Sequence, residues 1–173
     1  MKPTAVIATV LVAVLLQLMF ARYMIGGRVV FDLVLVAVVF AALQWGPVAG
    51  MLAGTMGGLL QDALAGGIVG VGGLAKTLVG YVTGQIGVQF VLTRPRARIL
   101  PLAVATVVHR LLMLSFYGLI DQRWPQVWWT AMLWETGVNA ACGLMLFLAA
   151  EAVPSALSRG RMSRRSTFSR RQW

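Results

Sequence analysis

The chain is written as long, nearly uniform apolar runs separated by short polar breaks. Such runs cover residues 3–21, 29–43, 47–65, 68–92, 99–120 and 127–150. A helix rises 1.5 Å per residue, so about 20 apolar residues cross a hydrocarbon core about 30 Å thick. Six membrane-spanning helices are therefore predicted. The second run is the shortest and is expected to extend to Trp45. The third and fourth are glycine-rich and divided only by Gly66 and Gly67, so five spans compete with six. The first run opens Met1-Lys2 like a secretory leader, but it is longer than a leader's apolar core and no small-x-small pattern follows near Phe20, so it is predicted to remain as a span. The predicted fold is an all-α membrane protein. Residues 1–154 form one six-transmembrane-helix bundle and residues 155–173 a polar, basic, serine-rich tail expected to be mobile.

Composition agrees on the solvent. Apolar residues make up 59% of the 173 and charged residues 12%, with a mean hydropathy of +0.81. A soluble domain carries about a quarter of its residues as charges. The formal net charge of +10 is not interleaved with aromatic stacking positions on a polar domain, which argues against nucleic acid and for lipid headgroups as counter-ions. Lys and Arg in short loops favour the cytoplasmic side. With six spans and the N-terminus inside, the inner segments hold Lys2, Arg94, Arg96, Arg98 and the six arginines of the tail, whereas the outer loops hold only Arg22, Arg28 and Arg123. Both termini are therefore predicted to be cytoplasmic. Trp124, Trp128 and Trp129 are expected at the outer interface and Trp45 at the inner one. Cys142, the single cysteine, has no partner for an internal disulfide and reads as a packing residue.

Two polar patterns stand out against this background. Glycines recur at every fourth position in Gly46, Gly50, Gly54 and Gly58, a row that continues through Asp62, Gly66 and Gly70. A bare ridge lets a neighbouring backbone approach closely, which matters in lipid, where apolar contact alone does not drive helices together. The third helix is accordingly expected at the centre of the bundle, its ridge serving internal packing or receiving another protein's helix. The second pattern is a set of ionisable and polar groups inside the runs, each costing about 2.5–3.5 kcal/mol on insertion scales for a charge unless partnered. Lys76, His109, Arg110, Glu135 and Asn139 are expected to cluster, by structural pairing or around a polar pocket; Gln61 and Tyr81 are further polar motif or pocket positions. Asp32 and Asp62 are expected nearer the outer surface, where Arg22 and Arg28 could meet them.

Candidate chemistry narrows the picture. Gly70-Val-Gly-Gly-Leu-Ala-Lys76-Thr77 nearly spells a phosphate-binding loop, but Ala75 replaces its second glycine and no soluble strand precedes it. His109 has no second His or Cys at ligand spacing, Ser115 stands alone on its run, and no paired-acid arrangement appears. No catalytic residue, cofactor or metal is implied.

The segment Gly57-Gly-Leu-Leu-Gln-Asp62-Ala-Leu-Ala-Gly66-Gly67-Ile-Val-Gly70, followed by Gly73-Leu-Ala-Lys76-Thr-Leu-Val-Gly80-Tyr81, resembles the signature of the rod-shape-determining MreD family. In that family Gly-Leu-x-x-Asp ends one helix, a glycine-rich turn follows, and the next helix carries a Val-Gly-Tyr pattern. Asp32, opening an aliphatic second helix, resembles the same pattern. Detailed agreement covers residues 29–84, with Phe31 before Asp32 and Ile68 after the glycine pair as departures from the usual proline. The resemblance implies a non-enzymatic inner-membrane component of the cell-elongation machinery that binds the bitopic scaffold MreC. It works with the actin-like MreB, the glycosyltransferase RodA and its penicillin-binding transpeptidase in peptidoglycan synthesis. It also implies a fold similar to the S component of energy-coupling-factor transporters, which makes a solute-binding transport subunit the competing reading. Against transport, Ala5, Ala8 and Ala13 lack the alanine four residues later that such subunits use for docking. A membrane enzyme using Asp62 or Glu135 has no second catalytic group at a workable spacing. The pattern leaves homodimer formation open.

Overall fold

A computed structural model describes residues 3–20, 31–66, 68–90, 95–122 and 129–169, with side chains described outside 95–96, 121 and 151–169. Every regular element among them is helical: α1 (Pro3–Phe20), α2 (Leu33–Trp45), α3 (Pro47–Ala65), α4 (Val71–Gln89), one 3-10 turn (Pro95–Arg98), α5 (Ile99–Asp121) and α6 (Trp129–Ser169). Arg22, Arg28, Arg94, Arg123, Trp124 and Trp128 lie outside the described residues.

Three segments, Pro3–Phe20, Ile99–Ile120 and Trp129–Ala150, are long and apolar enough to cross a membrane. α2 is as apolar but has 13 residues, about 20 Å of helix. α3 and α4 have 19 residues each, and their glycines dilute the hydropathy. The third and fourth runs are two helices and not one. α3 ends at Gly66 with φ +71°, a left-handed conformation that a residue without Cβ adopts at no steric cost, and α4 opens after Gly70. α4 then returns antiparallel along α3, bringing Gly80 opposite Gly50 and Gly73 opposite Gly58. The joint between α2 and α3 is tighter still. Gly46, at φ +93°, still donates its N–H to the Ala42 carbonyl at 2.9 Å, and Pro47 starts α3, where its missing N–H costs no helical bond.

The central helix is α2, not α3 as the glycine ridge suggested. Val34 to Ala42 are buried without interruption, and α2 packs against all five other helices, whereas α3 packs against α1, α2 and α4. A helix that is apolar all round has no face to offer to a polar phase and is enclosed on every side. On one flank Val34, Val38 and Ala41 meet Val10 of α1 and Ala53 of α3; on the other, Leu35 and Val39 meet Val79 of α4 and Leu102 of α5. Trp45, expected as an interfacial anchor, is half-buried and stands edge-on to Phe40 at 5.7 Å. Beyond Ala150 α6 continues to Ser169, through the first part of the basic stretch 155–173. Only Pro154 and Gly160 oppose helix there, and the Arg, Ala, Leu and Met around them favour it.

Candidate functional site

The most costly residues for a membrane interior meet around the N-terminus of α2. Asp32 caps that helix: its Oδ1 accepts from the Leu35 N–H at 2.9 Å, satisfying one of the amides a helix start leaves open. Its Oδ2 accepts from Lys76 Nζ of α4 at 2.8 Å. Both side chains are almost wholly enclosed, so the ion pair is held in a medium where an unpaired charge would be prohibitive. Lys76 Nζ also lies 3.2 Å from Nε2 of His109 on α5. A charged ammonium only donates, so Nε2 is the acceptor and the imidazole proton sits on Nδ1. That atom is buried and has no hydrogen-bond partner among the described residues.

Asn139 of α6 closes the arrangement. Its Oδ1 accepts the Asp32 N–H at 2.9 Å, and its Nδ2 reaches the Thr106 hydroxyl of α5 at 3.5 Å. Arg110 and Glu135 extend it outward as a looser pair, 3.9 Å apart, with the Arg110 side chain 43% exposed. Asp32, Lys76, His109 and Asn139 thus form one connected network that ties α2 to α4, α5 and α6. Asp32 is buried and pairs with Lys76; Arg22 and Arg28, the partners expected for it, lie outside the described residues.

Gln61, Asp62 and Tyr81 stand apart from the network. Asp62, on the last turn of α3, accepts through Oδ2 from the amides of Gly70 and Gly72, both at 2.9 Å, and of Gly73 at 3.2 Å. A carboxylate at a helix N-terminus satisfies its open amides and meets the positive end of its dipole. The amides of the near-phosphate-loop are therefore occupied by the chain's own acid, while Lys76 of that motif turns inward to Asp32. Gln61 is half-buried and leaves Oε1 without a partner among the described residues. Tyr81 is exposed and accepts from Gln85 Nε2 at 2.9 Å.

The glycine ridge is filled from within. A Cβ on Gly50 would stand 2.9 Å from the carbonyl carbon of Gly80, on Gly54 2.7 Å from the nitrogen of Thr77, and on Gly58 2.7 Å from the nitrogen of Gly73. The facing row on α4, Gly72, Lys76, Gly80 and Gly84, has the same four-residue spacing, and Thr55 and Thr77 share a hydrogen bond at 2.8 Å beside it. Gly46 differs from the rest: it makes the α2–α3 joint, and the space beside it is open. Gly50, Gly54 and Gly58 leave no room for a helix from another protein.

Two residues that the sequence reading passed over complete the site. Gln17, buried on α1, donates to the Phe31 carbonyl at 3.0 Å and accepts the Leu33 N–H at 2.8 Å, pinning the chain as it enters α2. Thr106 receives Asn139 and returns its own proton to the Leu102 carbonyl at 2.9 Å. Their signal was the one that exposed Lys76: a polar side chain inside an apolar run.

Neither curated proteins nor solved structures gave a match. The family described as rod shape-determining protein MreD matches residues 2–149, which include every helix bearing on the buried network. With its Gly-Leu-x-x-Asp turn stapled by Asp62 and its aliphatic second helix opened by Asp32, the chain belongs to the rod shape-determining MreD family.

Proposed function

We propose that this chain is a non-enzymatic component of the cell-elongation (Rod) complex that binds and positions the transmembrane helix of MreC, and thereby supports peptidoglycan synthesis and rod shape. MreB, RodA and its penicillin-binding transpeptidase are then indirect partners. The observation that carries this reading is family membership over residues 2–149. The buried network supports a scaffold over a solute-binding subunit: Asp32, Lys76 and Asn139 are used up on one another and on backbone, which stiffens the helix frame. The same reading places residues 1–154 in the bacterial inner membrane as six spans, in an arrangement similar to energy-coupling-factor S components. Both ends are cytoplasmic, and the basic stretch 155–173, which α6 covers as far as Ser169, lies on that side.

Co-purification in detergent tests it. Full-length chain and MreC expressed together should elute as one stoichiometric complex, and depletion should round the cells; two separate peaks, or unchanged rods, would sink the proposal. Bulk at Gly54 is a poor probe of the partner surface, because it would first drive α4 away from α3. Exposed residues on α1 and α6, such as Leu15 and Met145, are the informative positions for substitution.

A further inference from the structure

Arg110 of α5 is answered less completely than the charges around it. It stands about 15 Å of helix from either end of the segment Ile99–Ile120, near the midplane of a hydrocarbon core about 30 Å thick and beyond the snorkelling open to arginines at a helix end. A guanidinium keeps its charge and offers its N–H donors in a flat fork. Where Lys76 has a carboxylate at 2.8 Å, Arg110 has Glu135 Oε2 at 3.9 Å from one terminal nitrogen, beyond hydrogen-bond reach. No other group hydrogen-bonds to it among the described residues. Its side chain is 43% exposed, while that of Glu135 is largely enclosed.

The face around it has the form of a helix seat. Ala103, Val107, Arg110, Leu114 and Tyr117 recur at alternating four- and three-residue spacing, so they share one stripe of α5. All five are half-buried, and α6, whose Asn139 and Glu135 meet α5 at Thr106 and Arg110, covers this side in part. Depth narrows what can complete it. Phospholipid phosphates lie outside the hydrocarbon core and stop about 15 Å short of Arg110, where no water is at hand. An acceptor at that depth has to be carried by a protein segment that itself crosses the membrane. Polar side chains on such segments hydrogen-bond across helices.

We propose that the α5 stripe centred on Arg110 docks one transmembrane helix of a partner, which brings a side-chain hydrogen-bond acceptor, most strongly a carboxylate, to the guanidinium at mid-membrane depth. The inference rests on the reading that this chain positions the MreC transmembrane helix, and that helix is the occupant. The test uses full-length chain and full-length MreC in detergent. Arg110→Gln should weaken MreC retention about tenfold, the scale of an interhelical polar contact in lipid, and Arg110→Lys, which keeps the charge without the fork, should recover part of the loss. Replacing the acceptor in MreC's apolar stretch by alanine should weaken retention equally, and the two changes together no more than either alone. A photocrosslinker at Leu111, exposed beside Arg110, should join MreC, and one at Leu52, exposed on α3, should not. If Arg110→Gln does not fold, the crosslink in the otherwise unaltered chain decides. Failure of the unaltered chain to hold MreC at all would remove the proposed function and this inference together. Undiminished retention by folded Arg110→Gln, an MreC apolar stretch without an acceptor, or a Leu111 crosslink to a second copy of this chain in place of MreC would overturn this inference alone.

Discussion

A lysine inside a bundle of apolar helices is tolerated only when its charge is answered within hydrogen-bond reach. For Lys76 the answer is double, a carboxylate 2.8 Å away on the N-cap of α2 and an imidazole nitrogen 3.2 Å away on α5. Removing one partner of a buried pair costs more than removing both, because the remaining charge stays desolvated. Lys76→Met should therefore destabilise the protein by about 3–5 kcal/mol, and Asp32→Asn with Lys76→Met should recover much of that loss. Unfolding midpoints in a mixed-micelle denaturant titration measure both. If the double variant is no better than the single, the pair is not what holds Lys76 in place. Lys76, His109 and Asn139 were visible in the sequence as exceptions within apolar runs and were expected together, but Asp32 was assigned elsewhere. Asp32 and Asn139 are separated by 107 positions, and only the folded chain decides that the Asp32 amide meets Asn139 rather than water.

At the level of the helices, the α3–α4 hairpin is the most extensive helix pair among the described residues. Two facing rows of small residues at four-residue spacing let the backbones approach until side chains are excluded, and Asp62 binds the start of α4 to the end of α3. Such packing gains dispersion contacts that larger residues would forfeit. The hairpin's register makes a specific prediction. In a Cys142→Ser background, Thr55→Cys with Thr77→Cys should form a disulfide under mild oxidant, because the two hydroxyl oxygens lie 2.8 Å apart; Thr55→Cys with Val88→Cys should not. Loss of free thiol and altered gel mobility report the result. The α3 half of this hairpin was legible from Gly46 to Gly58. The α4 half was obscured because Lys76 interrupts its glycines, and the ridge was consequently read as a sign of centrality when it marks a single close neighbour.

For the whole molecule, α2 is the axis around which the others are arranged, and the network at its N-terminus fastens it to α4, α5 and α6. α1 is held by Gln17 and by Val6, Val10 and Val14 against α2 and α3. The charge bias along the chain leads to a test of orientation. A fluorescent protein fused to either terminus should glow, and alkaline phosphatase at the same positions should stay inactive, since both ends are proposed to be cytoplasmic. Phosphatase activity at one end would mean an odd number of crossings and would remove the six-span arrangement.

The sequence alone determined the solvent, the helical class, Gly66–Gly70 as a candidate turn that only the fold decided, and the list of polar side chains that needed an answer. These are local properties, set by composition over about 20 residues and by the conformational range of glycine. The MreD signature was likewise legible there because it is contiguous. Tertiary structure decided which helix is enclosed, that the ridge is filled by α4, and that Asp62 answers to backbone amides while Asp32 answers to Lys76. These depend on which elements pack together, and in a chain with so many interchangeable apolar faces the packing is selected by a few polar pairings and close backbone contacts that no single segment contains.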